Sequence, residues 1–447
     1  MKFHGSMQVN GRGHLEIGGC DVVELAKEFG TPLQIMDEKY IRDTCKKFYC
    51  SFTERGNSQV IYASKSFISI AMCRLIEEEG LGLDIVSAGE LYTALQADFP
   101  MEKVYFHGNN KSPFELKMAL EHGVGRIVVD NFRELKLLSE IAGSMDKEAD
   151  ILLRITPGVE AHTHEYIKTG QIDSKFGFTL PNGQAMEAVK EALKTENVNL
   201  VGLHCHIGSQ IFEMESYGHA ASVMMEFLAQ IKKEQGVVIE ELNLGGGFGI
   251  YYNEEDEPAD IEEYAATVMT TVTKLAREYS LPVPKVIVEP GRAISGPAGT
   301  TIYEVGTIKD IPEARKYLAV DGGMYENIRP ALYEAKYEVL LANKANREPE
   351  ETVTITGKCC ESGDMLAWDV RLPKAESGDI LAISCTGAYG YSMASNYNRF
   401  LKPAVVLVKD GEADLIIKRE SLEDLVKNEV LPERLCSSKI VSMASYR

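Results

Sequence analysis

A single lysine, Lys65, ends an apolar run in the stretch QVIYASKSFISIAM, residues 59–72. A buried ammonium is costly unless it has a partner or is neutralised, so this position needs an explanation. One explanation is structural, because a lysine at a strand end can extend its charged head to water. The other is chemical, because an amine in a dry pocket can form an imine with a carbonyl compound.

Polar residues or glycines follow the other apolar runs of the chain in the same way. They are, in chain order, Ser87, His107 with Asn109, Asp130, Arg154, His206 with Ser209, Gly245 to Gly247, and Glu289 with Arg292. If the runs are parallel strands of one barrel, their carboxyl ends meet where barrel enzymes place their active sites. If each polar side chain only extended to the surface independently of the others, nothing would place them all at the same end of the strands.

Several of these residues have a chemical interpretation beside a structural one. The run GGGFG can be a tight turn, or Gly246 and Gly247 can offer backbone N–H groups to a phosphate. In EPGR, the Pro-Gly turn puts Glu289 and Arg292 on one rim, although an arginine there can also be a surface ion-pair partner.

A phosphate cradle, an amine, a carboxylate and a flat imidazole together describe a pyridoxal phosphate site. Lys65 would hold the aldehyde of this cofactor, and the glycines with Ser209 would hold its phosphate. His206 would stack on the ring, and Glu289 would keep the pyridine nitrogen protonated, which decarboxylation requires.

A metal site is the alternative for the two histidines of HCHIGS, His204 and His206, which share one face at strand spacing. No third ligand with suitable spacing accompanies them in the sequence. The run HTHEY, His162–Tyr166, raises the same question and meets the same objection. The sequence therefore predicts no metal.

Eight short apolar runs, each followed by a segment of helical periodicity, must position these residues. They are VIYAS from Val60, LDIVS from Leu83, VYFHG from Val104, RIVVD from Arg126, ILLRI from Ile151, LVGLHCHIG from Leu200, ELNLGGG from Glu241 and VIVEPGR from Val286. Alternating strands and helices predict a parallel sheet, and eight units predict a (β/α)₈ TIM barrel. An open doubly wound sheet is the alternative, but no GxGxxG opens the first unit.

The pattern changes after about Ala293, where seven short strands are separated by turn residues. This predicts a second, mostly antiparallel β-domain resembling a sandwich or barrel. The stretch MQVNGRGHLEIGG has a similar character and is expected to pair into it. We therefore predict a barrel domain over residues 34–296 and a β-domain over residues 1–33 plus 297–447.

Composition limits the class of protein. With 47 Lys+Arg against 67 Asp+Glu the formal net charge is −20, which makes nucleic acid and anionic membranes poor partners. No signal-like or membrane-spanning apolar segment is found. Nine scattered cysteines do not indicate a disulfide framework, so a cytoplasmic protein is expected.

Nine motifs, in order and spacing, resemble the alanine-racemase-like (fold type III) pyridoxal-phosphate-dependent decarboxylases. They are YASK, LDIVSAGEL, FHGNNKS, GLHCHIGSQ, LNLGGGFG, EPGR, VDGGMYENIRPALY, CCESGD and GAYGYSMASNYN. The resemblance extends roughly from Gln34 to Phe400. It implies a homodimer in which each active site is completed by the partner's β-domain.

Roles follow from this resemblance for matching positions. It implies that Tyr389 contacts the phosphate or substrate, and that Cys360 reaches into the other subunit's site as the proton donor. It also implies that Asp84, Arg154 and Gly291 belong to the cofactor site.

The resemblance also implies the substrate, meso-2,6-diaminopimelate, which is expected to lose CO₂ and give L-lysine. Its distal carboxylate calls for a guanidinium, so Arg329, with Tyr333 and Arg292, is expected to bind it. Glu361, next to the predicted proton donor, is expected to pair with the distal ammonium.

Three alternatives remain at this stage. A related decarboxylase for another basic, D- or carrier-bound amino acid would keep the cofactor residues and differ around Arg329 and Glu361. A non-catalytic pyridoxal phosphate carrier would need only the barrel. An alanine racemase would need a second base opposite Lys65, whereas the chain carries a cysteine-bearing motif.

Overall fold

The computed structural model describes residues 2–159 and 174–436. Its first domain is a ring of eight parallel strands, called barrel strands 1 to 8 in chain order. They are Ser58–Ala63, Gly82–Ile85, Val104–Phe106, Arg126–Val129, Ala149–Thr156, Val198–His204, Glu241–Asn243 and Lys285–Val288. Barrel strand 8 pairs with barrel strand 1, so the sheet closes on itself. The predicted TIM barrel is confirmed, and the open doubly wound sheet is excluded.

Helices alternate with these strands and cover the outside of the barrel. They are Ile70–Glu78, Ala88–Gln96, Pro113–His122, Phe132–Ser144, Gln184–Ala192, Met214–Gln235, Ile261–Glu278 and the short Arg292–Ser295. The preceding helix Glu38–Thr53 packs against Ile261–Glu278. It thereby completes the outer layer, where the short helix after barrel strand 8 leaves room.

Six of these helices, Glu38–Thr53 included, begin after a residue whose side-chain oxygen accepts a hydrogen bond from the first turn. The capping residues are Asp37, Ser69, Ser87, Ser112, Asn131 and Asp260. Such caps bind backbone N–H groups that have no partner within the helix. Ser87, one of the polar residues expected at a strand end, therefore caps a helix.

The interior of the barrel is filled by side chains from alternating positions of the strands. Ile61, Tyr105, Val128, Leu152 and Ile287 form one buried cluster. Because successive side chains of a strand point to opposite faces, the neighbouring residues face the helices instead. The barrel is thus a packed core, and its free space lies at the ends.

The second domain is a mostly antiparallel sheet. Its strands are Leu33–Asp37, Gly299–Ile311, Arg315–Val320, Val339–Leu341, Glu351–Thr356, Met365–Leu372, Ile380–Ile383, Ala404–Lys409 and Glu412–Ile417. Seven of them coincide with the runs expected after residue 293. The helices Val22–Phe29, Arg329–Tyr333 and Leu422–Val426 accompany the sheet.

Two N-terminal segments are arranged differently from the sequence expectation. Strand Leu33–Asp37 pairs with Gly299–Ile311, so residues 34–37 lie in the second sheet although they were expected in the barrel domain. All five residues of this strand are buried, and an apolar run of that kind suits either sheet. The first residues form their own three-stranded sheet, Gln8–Val9, Leu15–Ile17 and Cys20–Asp21, which packs against the second domain instead of joining its sheet.

Within residues 2–159 and 174–436, no helix has the length and apolar character required to cross a membrane.

Candidate active site

A cavity of about 700 Å³ opens at the carboxyl ends of the barrel strands. Its lining includes all but two of the residues predicted to catalyse or to bind cofactor or substrate: Lys65, Asp84, Arg154, His206, Ser209, Gly246, Gly247, Glu289, Gly291, Arg292, Arg329, Tyr333 and Tyr389. Residues of barrel strands and residues of the second domain thus face the same space. A concave site with convergent polar groups is the usual form of a ligand pocket.

Lys65 follows barrel strand 1 in a single 3₁₀ turn, Ser64–Ser66. Its side chain is solvent-accessible, and it lines the cavity. Burial alone would lower the pKa of Lys65, but Asp84, Tyr389 and Glu289 outweigh it and raise the pKa above the ordinary value. Burial in turn raises the pKa of Asp84 to about 7. Lys65 is therefore a cation of the cavity lining, held in its charged form by nearby acidic groups.

Glu289, at the end of barrel strand 8, is held by three side chains. Nε2 of His107 lies 3.0 Å from one carboxylate oxygen, and Nε2 of His204 lies 3.4 Å from the other. Asn243 donates a hydrogen bond of 2.7 Å to the same oxygen that His107 contacts. Burial alone would raise the pKa of Glu289, but the two imidazoles outweigh it and hold the pKa well below its usual range. Glu289 is therefore an ionised carboxylate.

The glycine turn after barrel strand 7 leaves no room for side chains. Gly245 and Gly247 have φ angles of 72° and 101°, in the left-handed region that favours glycine. A Cβ on Gly246 would lie 2.1 Å from the carbonyl oxygen of Glu289, and one on Gly247 would lie 2.3 Å from that of Gly208. The turn therefore presents bare backbone to the cavity.

A neutral imidazole and a largely buried guanidinium lie on the barrel side of the cavity. Burial, together with the charges of Lys65 and Arg154, holds the pKa of His206 well below its usual range. The guanidinium of Arg154 lies 4.2 Å from the ring centre of Phe176, and its Nε is 3.9 Å from Asp130. A flat neutral ring beside positive charge suits a planar, anionic ligand.

Two buried arginines share one phenol at the border between the domains. Arg292 donates to the hydroxyl of Tyr252 at 2.6 Å, and Arg329 donates to the same oxygen at 3.1 Å. Arg292 also donates to Ser209 Oγ at 2.9 Å. Arg329 and Tyr333 stand four residues apart on one short helix, so both side chains reach the cavity. Burial would lower the pKa of Arg329, but the neighbouring tyrosines outweigh it, so the guanidinium remains charged.

Three contributors to this site were not found by sequence reasoning. Tyr252 and Tyr337 hold Arg329 from two sides, with ring centres 5.1 and 5.7 Å from its guanidinium carbon. Asn243 holds Glu289. The tyrosines follow no spacing that singles them out, whereas Asn243 stands at the end of barrel strand 7, where a strand-end criterion could have found it.

Cys360 and Glu361 do not line this cavity. Both are exposed on a loop of the second domain. Of the other strand-end residues, His107 and Asn109 line the cavity and Asp130 is buried behind Arg154.

Of the two histidines considered for a metal, His204 and His206, only His204 belongs to a group of possible metal ligands among the described residues. Ligand atoms of His107, His204 and Glu289 lie within 4.8 Å of one another, a convergence that sequence spacing does not reveal. Burial lowers the pKa of His204 to about 3, so this ring contacts Glu289 as a neutral imidazole. The segment His162–Tyr166 lies outside the described residues.

The donor set fits pyridoxal phosphate. A bare glycine turn and Ser209 suit a phosphate, an amine suits an aldehyde, and an ionised carboxylate suits a protonated pyridine nitrogen. These groups line one cavity, together with the neutral ring of His206. The arrangement therefore offers both anchoring and electrostatic control of this cofactor.

Comparison with known proteins agrees with this chemistry. The family model described as "Pyridoxal-dependent decarboxylase, pyridoxal binding domain" matches residues 38–296, more than half of the chain. The chain therefore belongs to the pyridoxal-dependent decarboxylases.

Relatives narrow this class further. A diaminopimelate decarboxylase of Bacillus methanolicus is 56% identical over 423 residues, which cover 94% of this chain and 98% of the relative. One of Bacillus subtilis is 54% identical over 428 residues, covering 96% and 98%. The crystal structure of the diaminopimelate decarboxylase from M. jannaschii in co-complex with L-lysine matches with a TM-score of 0.90 at 37% identity, covering 96% of this chain and 99% of that chain. Within its class, the chain falls in the diaminopimelate decarboxylase family.

Proposed function

We propose that the protein is a pyridoxal-phosphate-dependent carboxy-lyase that converts meso-2,6-diaminopimelate to L-lysine and CO₂, the last step of lysine biosynthesis. The observation that carries the substrate is the pair of buried guanidiniums, Arg292 and Arg329, in the cavity that holds Lys65 and Glu289. The names of the curated relatives and the L-lysine bound to the solved relative support the same reaction.

Substrate selection rests on the distal end of the amino acid. In this proposal Arg329 binds the distal carboxylate with Tyr333, and Arg292 assists from the barrel side. A guanidinium matches a carboxylate in geometry and charge. L-lysine and L-ornithine lack this carboxylate, so their binding would leave the charge of a buried arginine without a carboxylate partner. In a site that excludes water this has a large free-energy cost, so both amino acids should be poor substrates.

When bound, pyridoxal phosphate supplies the electron sink that accepts the pair left by the departing carboxylate. We assign covalent attachment of the cofactor to Lys65 Nζ. The backbones of Gly246, Gly247 and Gly291 would bind the phosphate with Ser209.

The remaining cofactor contacts are assigned by charge and shape. The pKa of Glu289 lies well below its usual range, so this carboxylate would keep the pyridine nitrogen protonated, and the neutral ring of His206 would stack on the cofactor ring. Asp84 and Arg154 would supply the remaining charged groups around Lys65 and Glu289. Tyr389 would contact the phosphate or the substrate.

We further propose that the second domain completes the site of a partner subunit in a homodimer. Cys360 and Glu361 are exposed and do not line their own chain's cavity, as residues offered to another chain would be. Cys360 would then protonate the carbon that has lost CO₂, and Glu361 would pair with the distal ammonium. In this proposal the barrel domain binds the cofactor, and the β-domain contributes residues to the active site of the partner subunit.

A cytoplasmic location accompanies this proposal. All nine cysteines lie in the described part of the chain and all are free thiols. Such a set suits a reducing compartment.

The test is release of CO₂ by the purified protein with pyridoxal phosphate. Diaminopimelate, L-lysine, L-ornithine, L-arginine and D-lysine are offered in parallel, with Lys65→Ala as the inactive control. We expect release from meso-diaminopimelate alone. Release from another of these amino acids would overturn the role of Arg329, and no release from any would overturn the enzymatic assignment.

A further inference from the structure

The loop that carries Cys360 is tied to its own domain by a buried carboxylate. We call residues 358–364 the cysteine loop. One oxygen of Asp364 accepts a hydrogen bond of 2.6 Å from the backbone N–H of Met324, and the other accepts one of 2.7 Å from that of Cys359. Asp364 is only 2% exposed. This anchor fixes the base of the loop but leaves Cys360 itself to other contacts.

Asn398 holds the backbone of Cys360 directly. Its side-chain oxygen accepts a hydrogen bond of 2.9 Å from the N–H of Cys360. The backbone of Asn398 is left-handed, with φ 51° and ψ 20°, a conformation that asparagine adopts more readily than most residues. Nearby, the ammonium of Lys358 lies 4.9 Å from the ring centre of Phe400. The segment around residue 398 thus supports the tip of the cysteine loop.

The other end of the same segment contacts the chain's own cavity. We call residues 389–400 the connecting segment. Tyr389 donates its backbone N–H to the carbonyl of Ser66 at 2.8 Å, and Ser392 Oγ donates to the same oxygen at 2.9 Å. Ser66 is the neighbour of Lys65, and the guanidinium of Arg292 lies 4.8 Å from the Tyr389 ring centre. One continuous stretch therefore joins one cavity to the loop that lies outside it.

We infer that Asn398 is a positioning residue for the partner's active site: by holding the N–H of Cys360, it sets where the cysteine loop enters the partner's cavity. This inference rests on the proposed function, in which Cys360 and Glu361 act in the other subunit. A reacting group must be held to a fraction of an ångström, and an exposed loop does not reach that precision without supporting contacts.

Two substitutions separate the hydrogen bond from the backbone conformation. Asn398→Gly keeps the left-handed backbone and removes the acceptor, whereas Asn398→Asp keeps both. We expect Asn398→Gly to lower kcat/KM about tenfold, and Asn398→Asp to restore most of it. Affinity for pyridoxal phosphate should stay unchanged in both, because the cofactor contacts assigned above come from the barrel and Tyr389.

Mixed dimers decide in which subunit Asn398 acts. Two differently tagged chains are co-expressed and purified over both tags, and one chain always carries Lys65→Ala so that a single cavity works. In the first arrangement, Asn398→Gly is placed on the Lys65→Ala chain, whose loop would complete the working cavity. In the second, it is placed on the chain that owns the working cavity. A mixed dimer with Lys65→Ala alone is the reference.

We expect about a tenfold loss of kcat/KM in the first arrangement and none in the second. Loss in the second arrangement would mean that Asn398 acts on its own cavity through the connecting segment, and full activity in both would mean that it positions nothing. Either result overturns the inference. Cys360→Ala in the same two arrangements tests the shared site itself: if its loss does not follow the first arrangement, the two-subunit site of the proposed function fails.

Discussion

Asn243 links Glu289 to the glycine turn. Its side-chain N–H donates to Glu289 at 2.7 Å, and its side-chain oxygen accepts from the N–H of Gly245 at 2.9 Å. The residue is fully buried. In the proposed site, Glu289 faces the pyridine nitrogen and the turn holds the phosphate, so one amide keeps the two ends of the cofactor site at a fixed separation.

Replacement of this amide should therefore weaken cofactor binding. Asn243→Ala removes both hydrogen bonds and leaves two buried groups short of a partner, at about 1–3 kcal/mol for each group. We expect affinity for pyridoxal phosphate to fall at least about tenfold in a titration followed by absorbance. Asn199→Ala, at an exposed position on barrel strand 6, is the control. Equal affinity in both variants would show that Asn243 is dispensable.

The crowding at Gly245 can be separated from its backbone conformation. Gly245 and Gly123 both have φ 72°. A Cβ on Gly245 would lie 2.7 Å from the carbonyl oxygen of Cys205, whereas a Cβ on Gly123 would meet no atom within 4 Å.

Gly123→Ala should thus show only the cost of a left-handed alanine, about 1 kcal/mol of unfolding free energy. Gly245→Ala should lose more stability and also bind less cofactor. Thermal unfolding and cofactor content of the purified variants measure this. If Gly245→Ala and Gly123→Ala lost the same stability and both kept their full cofactor content, the assigned role of the glycine turn in binding the phosphate would be contradicted.

Glu326 predicts a pH dependence of stability that is independent of the active site. It is buried in the second domain, where it accepts a hydrogen bond of 2.6 Å from the hydroxyl of Tyr303. Burial raises the pKa of Glu326 from 4.5 to about 8. A carboxyl whose pKa is higher in the folded chain binds its proton more tightly there, so stability falls as pH rises between these two values.

Glu326→Gln keeps the acceptor for Tyr303 and removes this titration. The Tm of the variant minus that of the unsubstituted protein should therefore increase from about pH 5 to about pH 8 and then level off. Glu412→Gln, at an exposed position, should show a flat difference. A flat difference for Glu326→Gln as well would indicate that Glu326 ionises in the folded protein as it does in water.

The barrel could be predicted because each of its eight strands is a short β-branched run followed by a helical period, and the closed ring follows from their number. The strand-end rule also brought the residues around Lys65 and Glu289 together, because parallel strands end on one side. The sheet to which strand Leu33–Asp37 belongs was not predicted correctly, because a fully buried run carries no information about which sheet it joins.

Contacts between distant segments could not be obtained from the sequence in the same way. Tyr252 joins Arg292 of the barrel to Arg329 of the second domain only because the two domains meet, and nothing marks it among the chain's 20 tyrosines. The convergence of His107 and His204 on Glu289 likewise depends on barrel closure. The position of Cys360 in a catalytic site depends on a second chain and stays a prediction.

Arg329 and Tyr252 provide the sharpest test of substrate selection. Arg329→Gln removes the guanidinium expected to bind the distal carboxylate, so kcat/KM for meso-diaminopimelate should fall about a hundredfold. Tyr252→Phe keeps both arginines but removes the oxygen that orients them, and a fall of about tenfold is expected. In both variants most of the loss should appear in KM, because the groups around Lys65 and Glu289 are unchanged.

The ratio of activities on two substrates gives the deciding measurement. Since L-lysine has no distal carboxylate to lose contact with, any residual turnover of L-lysine should not fall in Arg329→Gln, and the preference for diaminopimelate should shrink. Arg277→Gln, on the exposed end of helix Ile261–Glu278, controls for loss of a positive charge. An equal fall in activity on both substrates with unchanged KM would mean that Arg329 supports cofactor binding instead of binding the distal carboxylate. The distal carboxylate would then need another cation. Among the described residues, Arg292 is the only other arginine whose guanidinium contacts Tyr252.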